Sequence, residues 1–128
     1  MNIFLKNSYL KYLELASHVD AATEAVHKMD ELAKKLLELI ALSHMHDMTL
    51  TVKTAMALSS IASSATIQRK IDILCKFGLI DKVFDDKNRR TKYLVPTAVA
   101  NQYFSSLGDA MKQSLMPGKV TDEDVIVR

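Results

Sequence analysis

The chain has 128 residues, 48% of them hydrophobic, and its formal net charge is +2 at pH 7. That length predicts one domain, and the apolar fraction is large enough for a hydrophobic core. Since there is only one cysteine, no signal-peptide pattern and no apolar run of about 18 residues, we expect a cytoplasmic protein without membrane spans or disulfides.

Two amphipathic helices are predicted in the first third of the chain. Apolar residues at helical spacing over residues 5–16 form one stripe, and this helix is expected to end near Ser17. A second stripe predicts a helix over about 20–44. Because Leu32 and Leu39 widen the second stripe beyond one face, we expect that helix to be buried on two sides.

A short helix, a turn and a longer helix are predicted next. Residues 49–51 favour an extended conformation, and Thr51 can cap a helix of barely two turns. After a serine-rich turn, Ser63 or Ser64 can cap a longer helix, which Gly78 is expected to stop.

A charged hairpin and a last helix complete the pattern. Segments 79–84 and 91–95 read as two strands around a charged tip, with Pro96 ending the second strand. Thr97 is then expected to cap a last helix, which ends at the Pro117-Gly118 pair. Residues 118–128 are expected to be a flexible tail. The apolar stripe of this helix comprises Val99, Tyr103, Phe104, Leu107, Met111 and Leu115.

Positive charge is concentrated around this hairpin. Residues 63–95 hold eight Lys or Arg against four Asp, a balance of +4, whereas the remainder holds nine against eleven acidic residues, a balance of −2. Such a local excess is typical of nucleic-acid binding.

Residues 50–97 resemble the MarR-type winged helix-turn-helix transcription regulators. The matching residues are Leu50-Thr51 at the first helix, Ser63 with Thr66 and Arg69 at the recognition helix, Gly78-Leu79-Ile80 at the junction, and Arg90 at the wing tip. Asn88 stands where the family has Asp, so the brace to Arg90 is expected to be a neutral hydrogen bond. The turn between the two helices also lacks the family's glycine.

The resemblance implies a mainly α fold (α+β), a winged helix-turn-helix with a small antiparallel sheet made by residues 49–51 and the wing strands. We expect one domain over residues 1–117. Within it, the winged-helix unit (about 48–97) would bind DNA, and the terminal arms (about 3–44 and 97–115) would form a homodimer.

The chemistry of the outward residues agrees with a transcriptional regulator that binds double-stranded DNA in the bacterial cytoplasm or nucleoid. A helix fits the major groove, where Arg and Gln read bases, and a wing meets phosphates and the minor groove. The candidate DNA-binding residues are Ser63, Ser64, Thr66, Gln68, Arg69, Lys70, Lys87, Arg89, Arg90 and Lys92. The candidate dimer-interface residues are Leu5, Tyr9, Leu13, Tyr103, Phe104 and Leu107.

Two other functions remain open: a protein-interaction or assembly module, and a DNA-architectural or replication accessory protein without sequence preference. No carboxylate pair, Ser/His/Asp set or glycine-rich phosphate loop indicates catalysis, and no cofactor is implied. His44 and His46 are too close in sequence to share a helix face, so we expect no metal, and Cys75 is expected in the core. The operator, the direction of regulation and any small-molecule effector are not specified by the sequence.

Overall fold

The computed structural model describes residues 1–58 and 60–117, so the predicted tail (118–128) lies outside the described residues. The helices are α1 (Ile3–Ala22), α2 (Glu24–His27), α3 (Glu31–Met45), α4 (Val52–Met56), α5 (Ser64–Lys76) and α6 (Ala98–Leu115). The strands are β1 (Ile80–Phe84) and β2 (Lys92–Pro96). None of the described helices has the length and apolar character needed to cross a bilayer.

The first third contains three helices where two were predicted. Helix α1 continues through Ser17, whose hydroxyl donates to the Glu14 carbonyl at 2.7 Å, so this serine is satisfied inside a helix and caps nothing. The chain leaves the helical conformation at Thr23 instead, and the short α2 follows. Helix α3 begins only after Asp30, whose carboxylate accepts from the Ala33 backbone N–H at 2.8 Å.

The apolar stripe of this region is buried as predicted although the backbone breaks within it. Val26, in α2, and Met29, in the non-helical stretch between α2 and α3, are buried like the α3 residues that follow. The apolar periodicity therefore predicts which residues enter the core. It does not predict where the helix is interrupted.

The caps of the helix-turn-helix agree with the sequence predictions. Thr51 caps α4 in a reciprocal capping box with Thr54, and Ser63 caps α5. Gly78 follows α5 with a φ of +74°, in the left-handed region that favours glycine. Helix α4 ends at Met56 after five residues, so it is shorter than the two turns predicted.

The sheet has two antiparallel strands in a register that pairs Val83 with Tyr93. Residues 49–51 were predicted to join this sheet. They contribute a single bridge, from Thr51 to Tyr93, and the Leu50 carbonyl accepts from the Leu94 N–H at 2.8 Å. The segment goes no further because the chain becomes helical at Val52, directly after the Thr51 cap.

The hydrophobic core lies between α3, α5 and the base of the hairpin, and Ala100 and Tyr103 of α6 close it. Helices α1 and α6 pack along each other, with Ser8 buried in α1 and Ala110 and Ser114 buried in α6. Small residues at such a contact allow two helices to approach closely. The terminal helices are thus paired within one chain.

Candidate nucleic-acid interface

The start of α5 is organised by two serines with different tasks. Ser63 Oγ accepts from the Thr66 backbone N–H at 3.3 Å and donates to Thr66 Oγ1 at 2.9 Å. Ser64 Oγ donates to the Met56 carbonyl at 3.0 Å, which ties the end of α4 to the beginning of α5. Both hydroxyls are exposed, and both already have partners within the chain.

The side chains suited to base recognition are held by hydrogen bonds within α5. Arg69 is exposed, and its Nη2 donates to Thr66 Oγ1 at 3.1 Å. Gln68 Nε2 donates to Asp72 Oδ1 at 3.0 Å, one turn further along the helix. Arg69 and Gln68 therefore stand in defined orientations on the outer surface of α5.

Lys70 departs from the predicted outward orientation. Its side chain is only 19% exposed, and its Nζ forms an ion pair with Asp30 Oδ2, at the cap of α3. The reason is helical geometry: Lys70 lies three residues after the buried Ile67 and four before the buried Leu74, so its stem follows the protein surface toward α3.

The wing tip is a compact turn built by backbone hydrogen bonds. The Asn88 carbonyl accepts from the Thr91 N–H at 2.9 Å, and Asn88 Oδ1 accepts from the backbone N–H of Arg90 at 3.1 Å. The neutral hydrogen bond expected of Asn88 thus forms with the Arg90 backbone. Asp85 supports the turn from below, since its carboxylate accepts from the Lys87 N–H and from the Tyr93 hydroxyl.

The cations of the wing point into solvent. Lys87, Arg89 and Arg90 are exposed, and the Lys92 ammonium lies 5.5 Å from the centre of the Phe84 ring. In the described parts of the chain the ion pairs are Lys28–Glu24, Lys34–Asp20, Lys70–Asp30 and Lys82–Asp72. None of the four wing cations takes part in one, so within the described chain their charges are not neutralised by carboxylates.

Lys53 is a further cation of this surface that the sequence analysis did not single out. A cleft between α4 and the wing is lined by Lys53 and Met56 on one side and by Arg90, Thr91 and Lys92 on the other. Met56 also accepts the Ser64 hydrogen bond, so this cleft adjoins the start of α5. The available signal was its place in the first turn after the Thr51 cap, on the helix that precedes a recognition helix.

The candidate dimer residues fall into two groups. Leu5, Tyr9 and Leu13 on α1 are 55%, 61% and 44% exposed. By contrast, Tyr103 is buried within the chain, where its hydroxyl donates to Asp20 Oδ1, so this candidate offers little surface to a dimer interface.

Residues of the predicted apolar stripe of α6 differ in how far they are exposed. Phe104 and Leu107 pack partly against the core, whereas Val99, Met111 and Leu115 are each at least half exposed. The buried line of α6 runs instead through Ala100, Tyr103, Ala110 and Ser114. The outer surface of the terminal arms is therefore markedly apolar.

The remaining chemistry-bearing residues form no centre. His44 Nδ1 lies 3.1 Å from Thr49 Oγ1, and no three potential metal ligands come together among the described residues. Cys75 is half-buried on α5, and that burial raises the pKa of its thiol.

Solved structures of other proteins share this fold. A MarR-like regulator from Thermotoga maritima is 19% identical, with a TM-score of 0.58, over 93% of this chain and 84% of that chain. A mutant of MepR from S. aureus bound to an oligodeoxyribonucleotide is 21% identical, with a TM-score of 0.57, over 94% and 88%. The heme sensor protein PefR from Streptococcus agalactiae, in complex with heme, is 20% identical, with a TM-score of 0.53, over 96% and 80%.

No protein-family model matches the sequence, and comparison with the curated proteins found no match. The structural similarity nevertheless confirms the predicted fold, which is that of the MarR-type winged-helix regulators.

Proposed function

We propose that this protein is a transcriptional regulator that binds double-stranded DNA in a sequence-specific manner as a homodimer. The observation that carries the proposal is the arrangement of Arg69 and Gln68 on the outer surface of a capped helix. Beside that helix lies a wing whose cations have no carboxylate partners in the described chain. Carboxylates and phosphates compete for the same cations, so cations without partners are available to a DNA backbone.

In this proposal α5 enters the major groove. Arg69 donates two hydrogen bonds to guanine and Gln68 pairs with adenine, which are the contacts that distinguish bases there. The exposed hydroxyls of Ser63 and Ser64 and the half-buried Thr66 approach the phosphates at the helix start.

The wing lies along the minor groove. Arg90, at the tip, is the residue proposed to enter it, since a narrow A·T-rich groove attracts arginine. Lys87, Arg89 and Lys92 contact phosphates, and we add Lys53 to this group because it shares the cleft with Arg90.

The homodimer forms through the terminal arms. Leu5, Tyr9 and Leu13 on α1, with Met111 and Leu115 on α6, give the arms more exposed apolar surface than a monomer needs. A twofold axis through such an interface would place two α5 helices about 34 to 36 Å apart, one turn of duplex.

Selection of bound duplexes from a random DNA pool tests the proposal. We expect a palindromic preference with two half-sites one helical turn apart, bound at least about a thousandfold more tightly than random duplex. Binding without preference would favour the architectural or replication accessory function. No binding at low salt would favour the protein-interaction module.

A further inference from the structure

Asp30 uses its two carboxylate oxygens for two different helices. Oδ1 accepts from the Ala33 N–H at 2.8 Å and caps α3, while Oδ2 pairs with the Lys70 ammonium of α5. The two residues are separated by 40 positions in the sequence, so this contact is tertiary. It joins the last helix of the N-terminal arm directly to the recognition helix.

A second ion pair holds the other side of α5. Asp72 Oδ1 lies 3.6 Å from Lys82 Nζ on β1, and the same carboxylate accepts from Gln68. Residues two apart on a helix project to nearly opposite sides, so Lys70 and Asp72 anchor α5 on two flanks. The exposed Arg69 lies between them in sequence.

The Asp30 carboxylate is ionised at physiological pH. The hydrogen bond from Lys70, followed by that from the Ala33 N–H, lowers the pKa of Asp30 below its ordinary value. The Lys70 side chain is largely covered and the Asp30 side chain is 54% exposed, so the pair is screened on one side only.

We propose that Asp30 is a positioning residue for DNA recognition: by holding Lys70 it sets the orientation of α5 against α3, and so the direction of Arg69 and Gln68. This inference rests on the proposed function. In this proposal Lys70 orients the recognition helix and does not itself contact DNA.

Asp30→Asn tests the inference with little disturbance of α3, because Asn caps a helix as well as Asp while it weakens the bond to Lys70. The matched control is Glu31→Gln, which removes the same charge one residue away, at an exposed position that has no ion pair in the described chain. The quantity measured is the ratio of the affinities for the selected duplex and for random duplex.

We expect Asp30→Asn to lower this ratio about two- to fivefold, the range expected from losing a partly exposed ion pair, and Glu31→Gln to leave it unchanged. Lys70→Gln should lower the ratio by the same factor, and the double variant should be no worse than either single one. Equal ratios for Asp30→Asn and Glu31→Gln would overturn the proposal.

The salt dependence separates positioning from a phosphate contact by Lys70. If Lys70 only positions α5, Lys70→Gln leaves the salt slope unchanged. If the slope instead falls by about one unit on every duplex while Asp30→Asn keeps the parent's ratio, Lys70 binds phosphate and the proposal is wrong.

A measurement without DNA keeps the test independent of the proposed function. Residual dipolar couplings of backbone N–H groups report the relative orientation of α3 and α5 in solution. With the α3–α5 orientation of the structure held fixed, we expect one alignment tensor to fit the couplings of both helices in the parent and in Glu31→Gln. The same fit should fail for Asp30→Asn. If the parent shows no DNA preference, the proposed function fails, and the couplings alone decide whether Asp30 orients α5. A single tensor that fits Asp30→Asn equally well would refute that role.

Discussion

Two long side chains on α5 are restrained by hydrogen bonds within the helix. The hydrogen bonds from Arg69 to Thr66 and from Gln68 to Asp72 limit the rotamers of two long, flexible groups. Ordering such a group on binding costs about 0.5 to 1.5 kcal/mol, so restraint in the free protein would lower the cost of the proposed base recognition.

Arg69→Ala should identify a base contact. We expect a loss of about 1 to 3 kcal/mol on the selected duplex and a flattened preference at one position in each half-site, because a bidentate contact to a base edge is removed. Fluorescence anisotropy on a panel of single-base variants of the duplex measures both effects. Lys76→Ala, at the exposed end of the same helix, should keep the full preference, and a preference that survives Arg69→Ala would exclude the base contact.

Lys53→Ala should identify a phosphate contact. Binding to every duplex should weaken alike, and the slope of log affinity against log salt should fall by about one unit because one fewer counterion is released. Lys87→Ala is expected to behave in the same way. Lys112→Ala, an exposed lysine on α6, serves as the control, and a change equal to that of Lys53→Ala would show a general charge effect.

The limits of sequence reasoning at this scale are visible in two lysines. The sequence showed that residues 63–95 are basic, yet Lys70 pairs with Asp30, which lies far away in the chain and was read as part of a continuous helix. Lys53 was missed because its place beside Arg90 depends on how α4 packs against the wing. Charge counts identify the region, whereas tertiary contacts decide which cations remain available.

At the scale of elements, the end of α5 joins three parts of the fold. The Leu79 N–H donates to the Leu74 carbonyl at 2.9 Å and the Gly78 N–H to the Cys75 carbonyl at 3.1 Å, the two bonds of a Schellman motif. Thr97 Oγ1 donates to the Gly78 carbonyl at 2.6 Å and also caps α6. Helix α5, the hairpin and the last helix are thus connected at Gly78.

Gly78→Ala and Gly108→Ala form a matched pair for this feature. Within the described chain, a methyl group at either position would lie more than 4 Å from surrounding heavy atoms. The two substitutions therefore differ only in the backbone conformation of the glycine that is replaced. Gly78→Ala should destabilise the fold by about 1 kcal/mol because its φ is left-handed. Gly108→Ala should stabilise it by about 0.5 to 1 kcal/mol because it lies inside α6. Urea unfolding measures both, and effects of the same sign would contradict the argument.

Helices were predictable where an N-capping residue directly precedes an apolar stripe at helical spacing. Thr51, Ser63 and Thr97 all cap the helices that the sequence assigned to them. The break between α1 and α3 was misplaced because Ser17 and Asp30 are both good caps, and only the fold shows that Ser17 bonds back within α1. The buried residues Ala100, Ala110 and Ser114 of α6 were not singled out from the sequence, because an apolar stripe is defined by its large residues.

At the scale of the whole molecule, a polar joint connects the arms. The Tyr103 hydroxyl donates to one oxygen of Asp20, and Lys34 Nζ lies 3.5 Å from the other oxygen. The joint therefore links α1, α3 and α6. Burial, and then the hydrogen bond to Asp20, raises the pKa of Tyr103 above its ordinary value.

Tyr103→Phe should change how stability depends on pH in the alkaline range. A tyrosine whose pKa is raised by folding stabilises the protein fully below the unfolded pKa of about 10, and that contribution is lost as the pH rises further. The parent should lose stability above pH 10 more steeply than Tyr103→Phe, by up to about 1.4 kcal/mol per pH unit. Urea unfolding at several pH values measures this. Tyr9→Phe, at an exposed tyrosine, should follow the parent, and parallel curves for the parent and Tyr103→Phe would contradict the prediction.

Tyr9→Asp should disrupt the proposed dimer. A carboxylate on the apolar surface of α1 would have to be desolvated in the interface, so we expect a monomer in sedimentation velocity at tens of micromolar protein. Because Tyr9 is 61% exposed, the monomer should remain folded. Val83→Asp, at an exposed apolar residue of the wing strand, should leave the oligomeric state of the parent unchanged. A parent that sediments as a monomer would rule out the arm-mediated dimer.

The pairing of α1 with α6 also sets the order in which a newly synthesised chain can fold. Asp20 and Tyr103 are separated by 83 residues, whereas Gly78 and Thr97 are separated by 19. At ribosomal rates of about 5 to 20 residues per second, α1 waits roughly 4 to 17 s for its partner helix. During that interval the winged-helix unit can close its own local contacts while the apolar surface of α1 remains uncovered. During synthesis the first helix therefore stays without its intramolecular partner longer than any element of the winged-helix unit does.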